Sequence, residues 1–135
     1  MGLGHLDSLD TWRLWARMIT ERQESRGFRG GCDFGSLAGQ LVESDPETRA
    51  DLAKGYREWA GLFRDGLAAM RDRGDLRPDT DVDALALATL RALQGGLLLS
   101  QTLRDVAPLR EALTAAVDRI EGFSDQIPAG RGPGS

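Results

Sequence analysis

Few residues could do covalent or metal chemistry, and they are scattered. Cys32 and His5 are the single cysteine and single histidine of the 135-residue chain. One of each excludes an internal disulfide, a cysteine-rich metal site and a histidine-based metal centre. Nucleophilic catalysis needs a nucleophile beside a base, and no such pair is readable. Asp65, Asp72, Asp75, Glu111 and Asp118 fall on polar faces or turns, where a carboxylate is ordinarily a solvated charge. Residues 27–35 (GFRGGCDFG) are glycine-rich, but a phosphate-cradling loop also needs a Lys-Ser/Thr pair and a preceding strand. They read as a tight turn between helices. No catalytic residue, metal or cofactor is expected.

What remains is non-covalent chemistry, carried by aromatic and amide side chains at helical spacing. From Ser8 to about Arg26, Trp12, Trp15, Ala16, Ile19 and Gln23 fall on one side, and Leu14 and Met18 widen the stripe. That arc is too wide for one partner. It either lines a cavity or faces a segment outside the chain. Ser36 can cap a short helix through Val42 with Leu37, Ala38 and Leu41 inward. Ser44-Asp45-Pro46-Glu47 is a strong helix start, and the helix runs to Arg73, with Gly74 as its stop. Leu52, Tyr56, Trp59, Ala60, Phe63, Leu67 and Met70 make its stripe. Gly55 and Gly66 lie beside that stripe, each costing about 1 kcal/mol relative to alanine. They imply close backbone packing or room for a ligand. Gly61 falls on the solvent side without an evident reason.

Residues 83–103 (DALALATLRALQGGLLLSQTL) are the most apolar stretch, and they have two apolar faces. Leu85, Ala88, Thr89, Ala92, Gly95, Gly96 and Leu99 form a small-residue face. Ala86, Leu90, Leu93 and Leu97 form a bulkier one, and Gln94 and Gln101 mark an edge. Two apolar faces need two partners. The stretch is about long enough to span a bilayer, but Arg91 near its middle and the two glutamines argue against a membrane. After a break at residues 105–108 (DVAP), a last helix from Leu109 to about Phe123 carries Leu109, Ala112, Leu113, Ala116, Val117, Ile120 and Phe123 on one stripe. The expected organisation is a lead at 1–8, a helical domain at 9–123 and a disordered tail at 124–135. The fold class is all-α.

Composition agrees. The chain is 41 % hydrophobic and 28 % charged, as soluble globular domains are. Its net charge of −4 excludes nucleic-acid binding driven by phosphate neutralisation. Lys54 is the only lysine among seventeen basic residues, a mark of a GC-rich bacterial genome. A lone cysteine and no readable signal peptide fit the cytoplasm.

Several segments, in this order, resemble the C-terminal regulatory domain of TetR-family transcriptional repressors, in the branch common in actinobacteria. They are GGCDFGSLAGQL at 30–41, SDPETRADL at 44–52, YREWAGLFRDGLAAMRDRGDLRPDTD at 56–81 and LATLRALQGGLLLSQTLRDVAPLREAL at 87–113. The resemblance implies an antiparallel bundle of about five helices and a homodimer. In that dimer the last two helices pair with their two-fold mates as a four-helix interface through Leu85, Ala88, Ala92, Gly95, Gly96, Leu99, Leu109, Leu113, Val117 and Ile120. It also implies a pocket for a small, mostly apolar effector. Trp15, Met18 and Ile19 would line it, with Cys32, Phe34 and Leu37 around the short helix. Tyr56, Trp59 and Phe63 would form an aromatic wall, and Gln94 or Gln101 an orienting hydrogen bond. Three simpler roles stay open: core packing for the aromatics, a small buried hydrophobe for Cys32, and dimer-seam hydrogen bonds for the glutamines. Family members carry an N-terminal helix-turn-helix that this sequence does not supply. DNA would be reached only through that missing domain. The expected function is effector sensing and dimerisation for a repressor. The alternatives are a dimerisation module with a filled core or, more remotely, a small helical enzyme.

Overall fold

A computed structural model describes residues 5–27 and 45–124. Among the described residues there are four helices and no strand: α1 Leu9–Ser25, α2 Pro46–Arg73, α3 Val82–Leu103 and α4 Ala107–Glu121. The expected short helix over residues 36–42 lies outside the described residues, as do Cys32, Phe34 and Leu37.

Each helix starts and stops where local chemistry dictates. Ser8 caps α1, its hydroxyl accepting from the Thr11 amide at 3.1 Å. The Asp45 carboxylate caps α2, accepting from the Glu47 and Thr48 amides and, at 2.6 Å, from the Thr48 hydroxyl. Those bonds, led by the Thr48 side chain, hold the Asp45 carboxyl below its usual pKa. Gly74 ends α2 in the left-handed region at φ 93°, a conformation glycine adopts without steric cost. Asp81 caps α3 through the Ala84 amide at 3.0 Å. Arg104 ends α3 at φ 54°, the one non-glycine residue in the left-handed region among those described. The last helix starts two residues earlier than its stripe implied. Pro108 sits inside its first turn, where the missing N–H costs nothing. Ser100, fully buried on α3, accepts from the Leu109 amide at 3.1 Å and pins the α3–α4 corner.

Charge pairs fix the directions of the helices. Arg13 near the start of α1 reaches Asp118 at 2.9 Å and Glu121 at 2.6 Å near the end of α4. Glu24 near the end of α1 faces Arg110 near the start of α4. The two helices therefore run antiparallel. Burial works against the Arg13 charge, but hydrogen bonds and attraction from both carboxylates outweigh it and raise its pKa. Between α2 and α3, Arg64 Nε donates to Asp83 at 2.8 Å. At the far end the Arg77 amide donates to the Phe123 carbonyl at 2.7 Å, and its guanidinium lies 5.0 Å from the Phe123 ring centroid.

The core sits between all four helices and takes in Trp12, Trp15, Phe63, Leu67, Met70, Leu93, Leu109, Leu113, Val117 and Ile120. It also takes in Leu6, from a lead that has no helical pattern of its own. Leu6 reaches the core because Gly66 has no side chain. A Cβ at Gly66 would overlap the Leu6 carbonyl. Arg73 holds the same strand of lead by donating to the Asp7 carbonyl. Of the two explanations open for Gly66, close backbone packing is the one realised.

Gly61 has nothing within 4 Å of the place a Cβ would occupy. No contact requires glycine there, so only its helix penalty remains. Gly61→Ala should therefore stabilise the fold by about 0.5–1 kcal/mol, measured by urea denaturation.

α3 is long and apolar enough to cross a membrane by length and composition, with a mean hydropathy of 1.4. In the folded chain it packs on α2 and α4, and Arg91 interrupts its outer side.

Candidate functional site

Four of the five aromatic side chains of α1 and α2 form one cluster. Trp12 and Trp15 meet edge to face at 5.3 Å and 85°, and Trp15 meets Phe63 at 5.4 Å and 71°. Phe63 also touches Trp12 at 5.5 Å and Trp59 at 5.6 Å. These are ordinary aromatic packing geometries. Trp12, Trp15 and Phe63 are buried, so Trp15 and Phe63 stand inside the core as much as on any wall. Trp59, Tyr56 and Ile19 are half-buried and pack against the hydrophobic core. Met18 is turned outward, where it lines a surface groove with Ile19 and Arg22. Of the expected effector residues, Trp15, Phe63 and Trp59 are joined by ring contacts, Ile19 and Tyr56 pack against the same core, and Met18 faces outward.

Gln94 is half-buried, yet both of its amide atoms are shut off from solvent and have no hydrogen-bond partner. Gln23, almost wholly buried on α1, has an unpartnered Nε2, and so does the Trp12 indole at Nε1. A buried polar atom without a partner costs about 1–3 kcal/mol. Gln23 stood on the α1 stripe in the sequence without being singled out. A glutamine in the middle of an otherwise apolar stripe was the available signal. Gln101 is also half-buried and engaged in contacts of its own.

The expected dimer seam divides in two. Leu85, Leu109, Leu113, Val117 and Ile120 are buried in the chain's own core. Gly96 is consumed within the chain as well: a Cβ there would lie 3.0 Å from Leu109 Cα and 3.2 Å from the Ala112 side chain. Within the single chain these six positions are spent on packing α1, α3 and α4 together, although Leu85 also borders the groove between α3 and α4. Ala88, Ala92, Gly95 and Leu99 remain accessible. Beside them Leu87, Leu98 and Leu103 are also exposed, between 50 % and 61 %. A groove of about 270 Å³ between α3 and α4 continues this face, lined by Ala88, Arg91, Ala92, Ala112, Ala115 and Arg119.

A second groove of about 390 Å³, between α1 and α4, is lined by Arg13, Arg17, Glu21, Glu24 and Arg110. Its charges are mixed and largely paired, which suits neither an anion nor a cation. Asp65, Asp72, Asp75 and Asp118 each stand within ion-pair distance of an arginine. Among the described residues no group of three or more His, Cys, Asp or Glu could hold a metal ion.

The comparisons with known proteins agree with an all-helical regulatory fold. A family model described as "Tetracyclin repressor-like, C-terminal domain" matches residues 10–116. No curated protein and no solved structure matches the chain. That family is regulatory and not enzymatic. With most of its length matched, from the start of α1 to the last turns of α4, the chain belongs to the family of tetracyclin repressor-like C-terminal domains.

Proposed function

We propose that this domain is the effector-sensing and dimerisation part of a TetR-like transcriptional repressor, acting in the cytoplasm as a homodimer. The observation that carries the proposal is the outer face of α3. Leu98, Leu99 and Leu103 are exposed there, with Ala88, Ala92 and Gly95 alongside. Among the described residues nothing covers that face, and a second copy related by a two-fold axis would cover it with the same face. Counting Leu87, four half-exposed leucines per copy supply roughly 8 kcal/mol across such an interface. Association itself costs about 4–15 kcal/mol. Their contribution roughly offsets that cost, and a micromolar dimer needs about 8 kcal/mol beyond it, so the groove between α3 and α4, with its alanines, belongs to the seam as well.

The effector would sit between α1 and α2, against Ile19, Tyr56 and Trp59; the other expected lining residues, Cys32, Phe34 and Leu37, lie outside the described residues. A ligand that binds one spacing of the two copies better than another shifts the equilibrium between them. A DNA-reading domain attached to each copy would follow that shift, which would be the route to operator control.

A second reading, a dimerisation module with a filled core, is favoured by one observation: Trp15 and Phe63 are packed shut against Trp12. Thermal denaturation against a panel of apolar and planar compounds separates the two. Effector sensing predicts that some of the panel raise Tm by several degrees in a concentration-dependent way. Uniformly flat responses would leave the module reading in its place.

A further inference from the structure

The geometry points to a ligand that carries an adjacent hydrogen-bond donor and acceptor on a planar, mostly apolar body, read by the side-chain amide of Gln94. This inference rests on the effector-sensing reading and adds the chemical class of the effector. Asp83, Leu90, Gln94, Leu97 and Gln101 share one row of α3 by helical spacing. The row faces α2, because Arg64 of α2 donates to Asp83 at 2.8 Å, and Leu90 and Leu97 on either side of Gln94 are part of the core. α2 and α3 run antiparallel across a tight turn. The Arg64–Asp83 bond sets the register: Gln94, eleven residues or about 17 Å further along α3, stands level with residues about eleven positions back along α2 from Arg64. The amide therefore stands near the turn of α2 that carries the half-buried Tyr56.

Neither Gln94 Oε1 nor Gln94 Nε2 has a partner, and both are closed to solvent. Because both atoms are unpartnered, exchanging the oxygen and nitrogen positions changes nothing. A protein with no use for this amide would do better with leucine or methionine, which fill the same volume without the cost of stranded polar atoms. A carboxamide presents an acceptor and a donor side by side, and its complement is another donor–acceptor edge, the pairing by which glutamine reads adenine. A lactam or a primary amide offers that edge. A carboxylate does not, since it only accepts and would leave Oε1 unpaired. A pure hydrocarbon leaves both atoms stranded.

The test uses the full chain and three probes of one shape: 2-quinolone, N-methyl-2-quinolone and naphthalene. Binding is read by tryptophan fluorescence and by Tm. 2-Quinolone should bind roughly 10- to 100-fold more tightly than the other two, because only it satisfies both amide atoms. Gln94→Leu should remove that preference while leaving the unliganded protein at least as stable as wild type. Gln94→Met serves as an unbranched second variant with the same expectation. Equal binding of naphthalene and 2-quinolone would overturn the inference and leave effector sensing standing. A preference that survives in both variants would overturn it as well, as would no binding of 2-quinolone. In that last case the compound panel above decides effector sensing independently.

Discussion

Gly66→Ala should destabilise the domain by about 1 kcal/mol, even though alanine is the better helix former. The helix gain is about 1 kcal/mol. Against it stands a collision with backbone, the Leu6 carbonyl, which cannot swing aside as a side chain can. Either the helix and lead move apart, at about 1–3 kcal/mol for an overpacked contact, or the lead detaches. Detachment exposes Leu6, now 1 % accessible, at about 2 kcal/mol. The collision wins. Tm should fall by about 5 °C, and hydrogen exchange at Leu6 and Asp7 should accelerate more than exchange in α4. Gly61→Ala, in the same helix, is the control, with the opposite sign. Equal effects at the two positions would mean that the lead does not rest on α2.

Phe63→Ala should cost more, about 3–5 kcal/mol. Phe63 is fully buried and touches Trp12, Trp15 and Trp59 at once. Truncation removes three ring contacts and leaves a void bounded by three rigid indoles that cannot collapse into it. For a domain whose total stability is about 5–15 kcal/mol, that is a third or more of the whole. Denaturant midpoints measure it, and tryptophan emission should shift to longer wavelength at once. A cost below about 1 kcal/mol would instead mean that Phe63 borders a cavity already present.

The local chemistry of the fold was legible in the sequence, and the long-range chemistry was not. Asp45 and Gly74 act within a few residues of themselves, so their types and positions announce the ends of α2, and Ser8 and Asp81 cap α1 and α3 by the same local chemistry. The stripes of α1, α2 and α4 were legible for the same reason, since period defines a face. Period does not say which element covers that face. Leu109, Leu113, Val117 and Ile120 have the spacing of a seam, and α3 of the same chain covers them. Gly95 and Gly96 are adjacent in sequence and differ in use: Gly96 fits under Leu109 and Ala112, and Gly95 has open space beside it. The contact of Leu6 with Gly66 joins residues sixty apart in sequence. A leucine in a short lead without periodicity carries no sign of it. The aromatic stripe permitted either a wall or a core. The structure places Trp15 and Phe63 in the core and leaves Trp59 and Tyr56 at its edge.

The account stands most directly on the outer face of α3, and sedimentation equilibrium of the unmodified chain tests it. Between about 1 and 100 μM, the concentration range over which a specific dimer of micromolar affinity or better assembles, the chain should sediment at twice its monomer mass. Leu99→Asp should sediment at the monomer mass with its helical circular dichroism intact, because two carboxylates would be buried in an apolar seam without partners. A wild-type chain that stays monomeric throughout that range, or a Leu99→Asp chain that stays dimeric, would contradict the account.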